Sequence, residues 1–541
     1  MSTDSKTKKK PDVPFLVQPK QSRWLLLATV IAFCVIALDY LRSDMWMDEV
    51  ITFYDYVLSD SWQPALFSYQ VANNHKLYSV VIWFWSHVLH VPTDEALRLP
   101  GLIFGIATLV VVWWQIGQLF GRAAGNLLTM VLAFSPIYLN FFWQLRGYGL
   151  TMLLSTLAVC GCLLLVSGIP GARKRGLWMA LPAMALLPVV IPSNLLVNAA
   201  LWSFVCLACW KQKRLVEFRG MLLILACAGT CGMIIYLLQL NDFLRVMGTT
   251  SGWSSGVKVF GHWCQAFVVH IGIFMALVFF MKRHPGNAPL LAQSQKGRDI
   301  PESAQELQTL LPWLLGICVV IMGGVSVLRA PFPRALLGFL PLLTVCGLIG
   351  FRPELFRKNI NSMLILLILV MTLLVFHRGA PALTKQALLA GKWPQNLVQQ
   401  FYSQRSDALS TMRWLNKQEL PTGVRIIAPF RMFLSCEYYW RRMDRNPDML
   451  ICLEGSGPFS LPENPANYQH YPQIVLGYNL DDTLRRYKAT FGILPQLTAL
   501  DSPSDLQAWQ VVGFGEDAGG TPDDKAAQEE STENESGKVR I

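Results

Sequence analysis

The chain has 541 residues, of which 53% are hydrophobic and only 15% charged, with a mean hydropathy of +0.36. That balance excludes an ordinary soluble globular protein, and apolar runs long enough to cross a bilayer recur from residue 24 to residue 376. The formal charge of +11 does not signal a nucleic-acid partner, because Lys and Arg cluster in short loops between apolar runs, which is how membrane topology is encoded.

The expected fold class is therefore a polytopic α-helical membrane protein; no alternating pattern suggests a barrel. A basic tail over residues 1–23 (Lys6, Lys8, Lys9, Lys10, Lys20, Arg23) precedes the first apolar run, 24–41, with no small-residue cleavage site after it. This predicts an uncleaved anchor with a cytoplasmic N-terminus. The loop after it holds adjacent carboxylates, Asp48 and Glu49, and should be extracytoplasmic. The next apolar stretch, 77–90, is short for a span and suits an interfacial helix. Spans are then expected near 98–118, 126–142, 148–168, 177–191, 194–210, 221–240, 259–281, 311–328, 334–350 and 359–376. Pro192-Ser-Asn194 breaks a tight hairpin between two of them. With about eleven spans in all, every strongly basic loop, such as Arg173-Lys-Arg175 and Lys211-Gln-Lys-Arg214, falls in the cytoplasm. Counting 77–90 as a span would reverse that bias.

The transmembrane domain should occupy 24–376 and a small extracytoplasmic α/β domain 377–514. Within the latter, 403–418 reads as an amphipathic helix with Ser406, Leu409, Met412 and Leu415 on one face. Residues 424–428 and 473–477 read as strands, and 481–487 as a helix. The acidic tail 515–541, without aromatics, should be disordered. Cysteines such as Cys160, Cys162, Cys206 and Cys209 lie in apolar runs as packing residues; Cys436 and Cys452 could pair in an oxidising compartment.

Asp48 and Glu49 are the best candidates for chemistry. An acidic pair beside a membrane is costly unless it meets water, a cation or a proton donor. A solvated loop at the start of an interfacial helix is the alternative. His75, Lys76, Arg98, Arg146, Arg329 and Arg334 all fall at the same outer boundary. Singly, each suits an interfacial anchor; together they form a basic rim that suits a lipid-linked phosphate, leaving a carboxylate to take a proton. His75, His87 and His90 are spaced for an interfacial helix; His87 and His90 share a helical face without an obvious third ligand, so no metal or other cofactor is expected. Asp44 and Asp55 are secondary acid candidates.

Several short motifs resemble the GT-C superfamily of membrane glycosyltransferases, in particular bacterial relatives of protein O-mannosyltransferases and aminoarabinose transferases. They are Trp46-Met-Asp-Glu49, Asn74-His-Lys-Leu-Tyr78, Leu97-Arg-Leu-Pro-Gly101, Arg146-Gly-Tyr-Gly-Leu150 and, more loosely, Arg334-Ala-Leu-Leu-Gly-Phe-Leu-Pro341. His75-Lys76 replaces paired prolines of that family, and 143–148 lacks the second acid some relatives carry. The resemblance implies inverting transfer of a sugar from a polyprenyl-phosphate donor to a glycan, lipid or protein acceptor, in a bacterial inner membrane. It implies Asp48 as base with Glu49 beside it. It also implies Lys76, Arg146, Arg334, Arg98 and Arg329 on the donor phosphate, and His75, Tyr78 and Tyr148 as substrate contacts. A multi-span transporter or an envelope-assembly scaffold is the alternative; intramembrane charges are sparse, and no internal repeat of the transporter kind is visible.

Overall fold

The structure is a computed structural model that describes residues 20–68, 75–90, 93–169, 171–241, 244, 261, 302–329, 333–350, 408–453, 470–477, 479–502 and 506–514. The expected spans 259–281 and 359–376, most of the basic tail and the acidic tail lie outside the described residues. The chain divides into two units. One comprises Met1–Arg42 with Thr52–Gln404, and the other Ser43–Ile51 with Arg405–Ile541.

The first unit is a helical multi-span membrane body. It runs through α1 (Lys20–Leu41), α3 (Gln63–Phe67), α4 (Lys76–Leu89), α5 (Asp94–Phe120), α6 (Arg122–Ala133), α7 (Pro136–Phe141), α8 (Tyr148–Val166), α9 (Ala172–Val190), α10 (Leu195–Lys211), α11 (Leu215–Cys231), α12 (Ile234–Leu237) and a helix over Glu302–Arg329. A six-residue helix, α2 (Met47–Thr52), lies in the loop after α1. Four described stretches are long and apolar enough to cross a bilayer: Asp94–Phe120, Tyr148–Val166, Pro192–Lys211 and Gln305–Val327. The 14-residue α4 is too short to do so. The stretch 126–142 is two helices rather than one, because Pro136 has no amide hydrogen to continue the ladder of α6. The stretch 334–350 is likewise a 3₁₀ turn, a short α-helix and a second 3₁₀ turn. Around 221–240, α11 ends at Cys231 and a turn leads into α12.

Apolar side chains cover both the core and the outside, as lipid contact requires: Trp24, Ile31 and Val35 of α1 are exposed, while α8 is buried almost throughout. In such a medium helices are joined by small residues and by satisfied polar groups. Asn126 Oδ1 accepts from Ser22 Oγ at 2.9 Å and from Trp113 Nε1 at 3.0 Å, tying α6 to α1 and α5. Asn198 Nδ2 donates to the carbonyls of Met184 and Gly229, tying α10 to α9 and α11. Two of the sequence motifs meet at one backbone group. A Cβ on Gly101 would lie 2.7 Å from the Phe142 carbonyl oxygen, and one on Gly149 would lie 2.6 Å from it.

The second unit is a mixed five-stranded sheet of order β2-β1-β3-β5-β4, from β1 (Arg425–Pro429), β2 (Leu450–Leu453), β3 (Gln473–Gly477), β4 (Pro495–Leu500) and β5 (Gln507–Phe514). β1 pairs in parallel with β2 and β3, and these three strands are almost wholly buried, as strands covered on both faces are. β3–β5 and β5–β4 are antiparallel. Ile427, Ile451, Leu453 and Val475 pack against Tyr487 and Phe491 of helix Leu480–Phe491. That helix is capped by Asn479, whose Oδ1 accepts from the amides of Asp481 and Asp482. Helix Ala408–Lys417 buries Ala408, Thr411, Met412 and Leu415, a face rotated slightly from the expected one. Cys436 and Cys452 are both buried free thiols.

Gly149→Ala should lower the thermal unfolding temperature of the protein in lipid nanodiscs, by an overpacking cost of about 1–3 kcal/mol. Gly220→Ala in α11, where nothing lies within 4 Å of the added carbon, should be neutral or stabilising because Ala is the better helix former. Equal melting curves for the two variants would contradict the close approach.

Candidate functional site

The candidate residues fall into two groups, one in each unit. In the second unit, Asp48 and Glu49 occupy the first turn of α2 and are 2% and 0% exposed. This is not the solvated loop that composition allows. Glu49 Oε2 accepts from the Trp46 amide at 3.0 Å. Trp46 immediately precedes the helix and Glu49 is its third residue, so this is the return arm of a capping box. Glu49 shapes the turn, and Asp48 is its neighbour on the same turn. Asp44 lies just ahead of them, with its Oδ2 on the amide of Leu409 at 2.8 Å.

In the first unit, His75, Arg146 and Arg334 come together from three separate parts of the chain. His75 immediately precedes α4 and is buried. The Gly147 amide donates to His75 Nδ1 at 2.8 Å, and Arg146 Nη2 lies 3.0 Å from Nε2. A backbone amide and a guanidinium can each only donate, and a neutral imidazole accepts at one nitrogen only, so one of these two contacts is a hydrogen bond and the other sets two N–H groups against each other. Burial, followed by the positive charges of Arg146 and Arg334, holds His75 well below its ordinary 6.5. The ring is neutral and the guanidinium beside it is a cation, so the charge of the cluster suits an anion. Gly147 permits this approach: a Cβ there would lie 3.0 Å from His75 Nδ1 and 2.5 Å from a Val190 methyl carbon.

Tyr148 frames the pair. Its ring meets His75 edge-on at 4.8 Å between centroids, and the Arg146 guanidinium lies 5.3 Å from its centroid. Tyr78 is fully buried and donates to the Gln144 carbonyl at 3.4 Å, joining α4 to the turn that carries Arg146. Arg334 opens the 3₁₀ turn Pro333–Phe339 and is half-buried. The hairpin break between α9 and α10 steadies that turn. Ser193 Oγ donates to the Ala335 carbonyl at 2.6 Å, and a Cβ on Gly338 would lie 2.7 Å from Asn194 Oδ1. Asn194 Nδ2 in turn donates to Thr151 Oγ1 and the Leu187 carbonyl.

The other predicted cations have different settings. Lys76 Nζ donates to the carbonyls of Leu66 and Ser68 and to Gln239 Oε1, at 2.8–2.9 Å, and burial pushes it down to about 8. Arg98 is fully buried; its Nη1 donates to the carbonyl of Leu41, the last residue of α1, and its guanidinium stacks 4.6 Å over the Trp143 ring. A cation at the C-terminal end of a helix is favoured by the helix dipole. Arg329 ends the helix Glu302–Arg329. His87 stacks on Trp83 at the far end of α4 from His75. Among the described residues, no group of three or more His, Cys, Asp or Glu could hold a metal ion.

Gly147, Ser193 and Asn194 were not among the expected functional residues. A polar Ser-Asn pair inside an apolar hairpin is the sequence signal that points to them, whereas Gly147 differs in no local way from other glycines.

Fold and site together define a multi-span membrane protein with a buried acidic pair in one unit and a buried histidine–arginine cluster in the other. No protein-family model matches the sequence, and no curated protein does. Among solved structures, the chain is similar to ArnT from Cupriavidus metallidurans in the apo state, at 14% identity and a TM-score of 0.48, over 91% of this chain and 98% of that one. It is also similar to ArnT from Cupriavidus metallidurans bound to undecaprenyl phosphate, at 13% identity and a TM-score of 0.47, over the same shares. At these values the likeness is loose, and the chemistry is read from this chain's own side chains.

The state of His75 has a consequence for pH. The unfolded chain takes up a proton on this ring below about 6.5, and the folded chain does not. The unfolded state then binds more protons, so stability is full above that value and falls as pH drops through it. Thermal unfolding of the wild type should therefore weaken from about pH 7 to about pH 5 more steeply than that of His75→Gln. Parallel profiles would mean that His75 is already protonated when folded.

Proposed function

We propose that this protein is an inverting glycosyltransferase that moves a sugar from a polyprenyl-phosphate carrier to a lipid, glycan or protein acceptor at the extracytoplasmic face of a bacterial inner membrane. The observation that carries this reading is the cluster of buried His75 and Arg146 with half-buried Arg334, a neutral imidazole and two cations whose net charge favours a phosphate. The buried acidic pair and the order of the five sequence motifs support it.

In this reading Asp48 accepts the proton of the acceptor hydroxyl or amine as that group attacks the anomeric carbon. The bond from the anomeric carbon to the phosphate oxygen breaks on the opposite side, so configuration inverts and polyprenyl phosphate departs. General-base help of this kind contributes about 10²–10⁴-fold. Negative charge grows on the phosphate in the transition state, and Arg146 and Arg334 answer it directly. Lys76, its donors occupied by carbonyls and Gln239, contributes field more than a hydrogen bond. Phosphate is already a good leaving group, so the step needs charge stabilisation more than an acid. Glu49 shapes the turn that bears Asp48. Arg98 and Arg329 take supporting parts at the membrane boundary, and Tyr78 and Tyr148 frame the anion cluster. The membrane supplies the surrounding lipid, and no metal or nucleic acid enters the scheme.

Asp48→Asn should reduce transfer by about 10²-fold or more while donor binding and membrane insertion persist; wild-type turnover in that variant would refute the base. Arg334→Ala should weaken donor use by about tenfold or more, in keeping with loss of a charge-assisted contact. An unchanged donor KM would make Arg334 a headgroup anchor instead.

A further inference from the structure

We infer that Tyr439 and Ser435 are positioning residues: the C-terminal domain clamps the backbone of the acidic segment and so sets the place of Asp48. The inference rests on the reading of Asp48 as the base, and adds a role for the domain that follows the membrane body.

The segment Ser43–Ile51 follows α1 in the chain, yet it belongs to the unit built from residues beyond 405. The contacts are specific. The Met45 amide donates to Tyr439 Oη at 2.6 Å, and Ser435 Oγ donates to the Met45 carbonyl at 2.9 Å. Both backbone groups of one residue are thus taken by two side chains four positions apart, on one face of helix Phe430–Arg442. Asp44 adds a third tie, accepting from the amide of Leu409 in the first turn of helix Ala408–Lys417. Met45, Ser435 and Tyr439 are 0%, 1% and 3% exposed, so water does not compete for these bonds. Cys436 lies between Ser435 and Glu437 on the same helix; its thiol is pushed up to about 12, by burial first and by the Asp44 charge second.

The physical need for such a clamp follows from length. A six-residue helix is unstable by itself. The capping-box bond from the Trp46 amide to Glu49 orders α2 internally, but nothing in it fixes where the turn sits. Asp44 and Met45 lead up to Trp46 at the start of that turn, and both are held. A base displaced by as little as about 1 Å loses about 10²-fold in rate, so the ties at Met45 bear on turnover and leave donor affinity alone.

The test compares Tyr439→Phe, Ser435→Ala, the double variant and Asp48→Asn in full-length protein in lipid nanodiscs. Two readouts are taken: amide hydrogen exchange over residues 43–52, and kcat and KM with radiolabelled polyprenyl-phosphate sugars. Each single variant should raise exchange in that segment and lower kcat by up to about tenfold, with donor KM within about twofold of wild type. The double variant should do more. Arg441→Gln is the control, because Arg441 is an exposed residue of the same helix whose ion pair with Glu437 does not touch Met45; it should leave both readouts unchanged. Wild-type kcat in both single variants overturns the clamp, whether or not exchange rises, and so does a loss confined to KM. If the double variant does not fold, the single variants decide by themselves. Activity retained in Asp48→Asn would sink the base reading instead, so the two failures are told apart.

Discussion

His75 is an imidazole buried between the Gly147 amide and the Arg146 guanidinium, and the site depends on keeping that ring neutral. A buried cation in a lipid-facing body is expensive unless its surroundings compensate it. A doubly protonated ring next to Arg146 would add a second charge to the same volume. Burial and the neighbouring guanidinium charges keep the ring neutral, so one of its nitrogens accepts from these donors. The rest of the cluster is arranged around that choice. Tyr148 covers the ring, Tyr78 holds the turn to α4, and the Ser193–Ala335 bond steadies the 3₁₀ turn that begins with Pro333 and Arg334. Gly147 is the residue that makes the approach possible, because any side chain there would collide with His75 and Val190.

The acidic pair obeys the same economy in a different way. Glu49 accepts from the Trp46 amide ahead of its own helix, and Asp44 binds the first turn of helix Ala408–Lys417. Carboxylates that accept backbone N–H bonds at helix starts are held in place by them. Asp48, between them in the chain, is the one carboxylate of the segment for which the proposed chemistry needs a proton-accepting role.

The sequence was legible where physics is local. The strand β3, the hairpin broken at Pro192-Ser-Asn194, the short α4 and the span α8 all follow from periodicity, proline placement and run length. Pro136 splits one expected span, a break that the apolar run around it masks. The strands β2, β4 and β5 and the helix Phe430–Arg442 were not expected. The first is a four-residue run and the last is rich in charge, so neither carries a strong periodic signal. The charged residues of the anion cluster could be named from their boundary positions. What could not be read was which of them would meet. The pairing of His75 with Arg146 spans 71 residues, and that of Met45 with Tyr439 spans 394. Contacts of that separation leave no mark on local composition.

The most direct measurement of the central claim is a transfer assay on membranes that hold the protein, supplied with a panel of radiolabelled hexosyl and pentosyl polyprenyl phosphates. The account predicts that, for one of these donors, label leaves the carrier for another molecule with inverted configuration and free polyprenyl phosphate accumulates in equal amount. Donors that all stay intact, with label or another solute instead accumulating inside sealed vesicles, would contradict it.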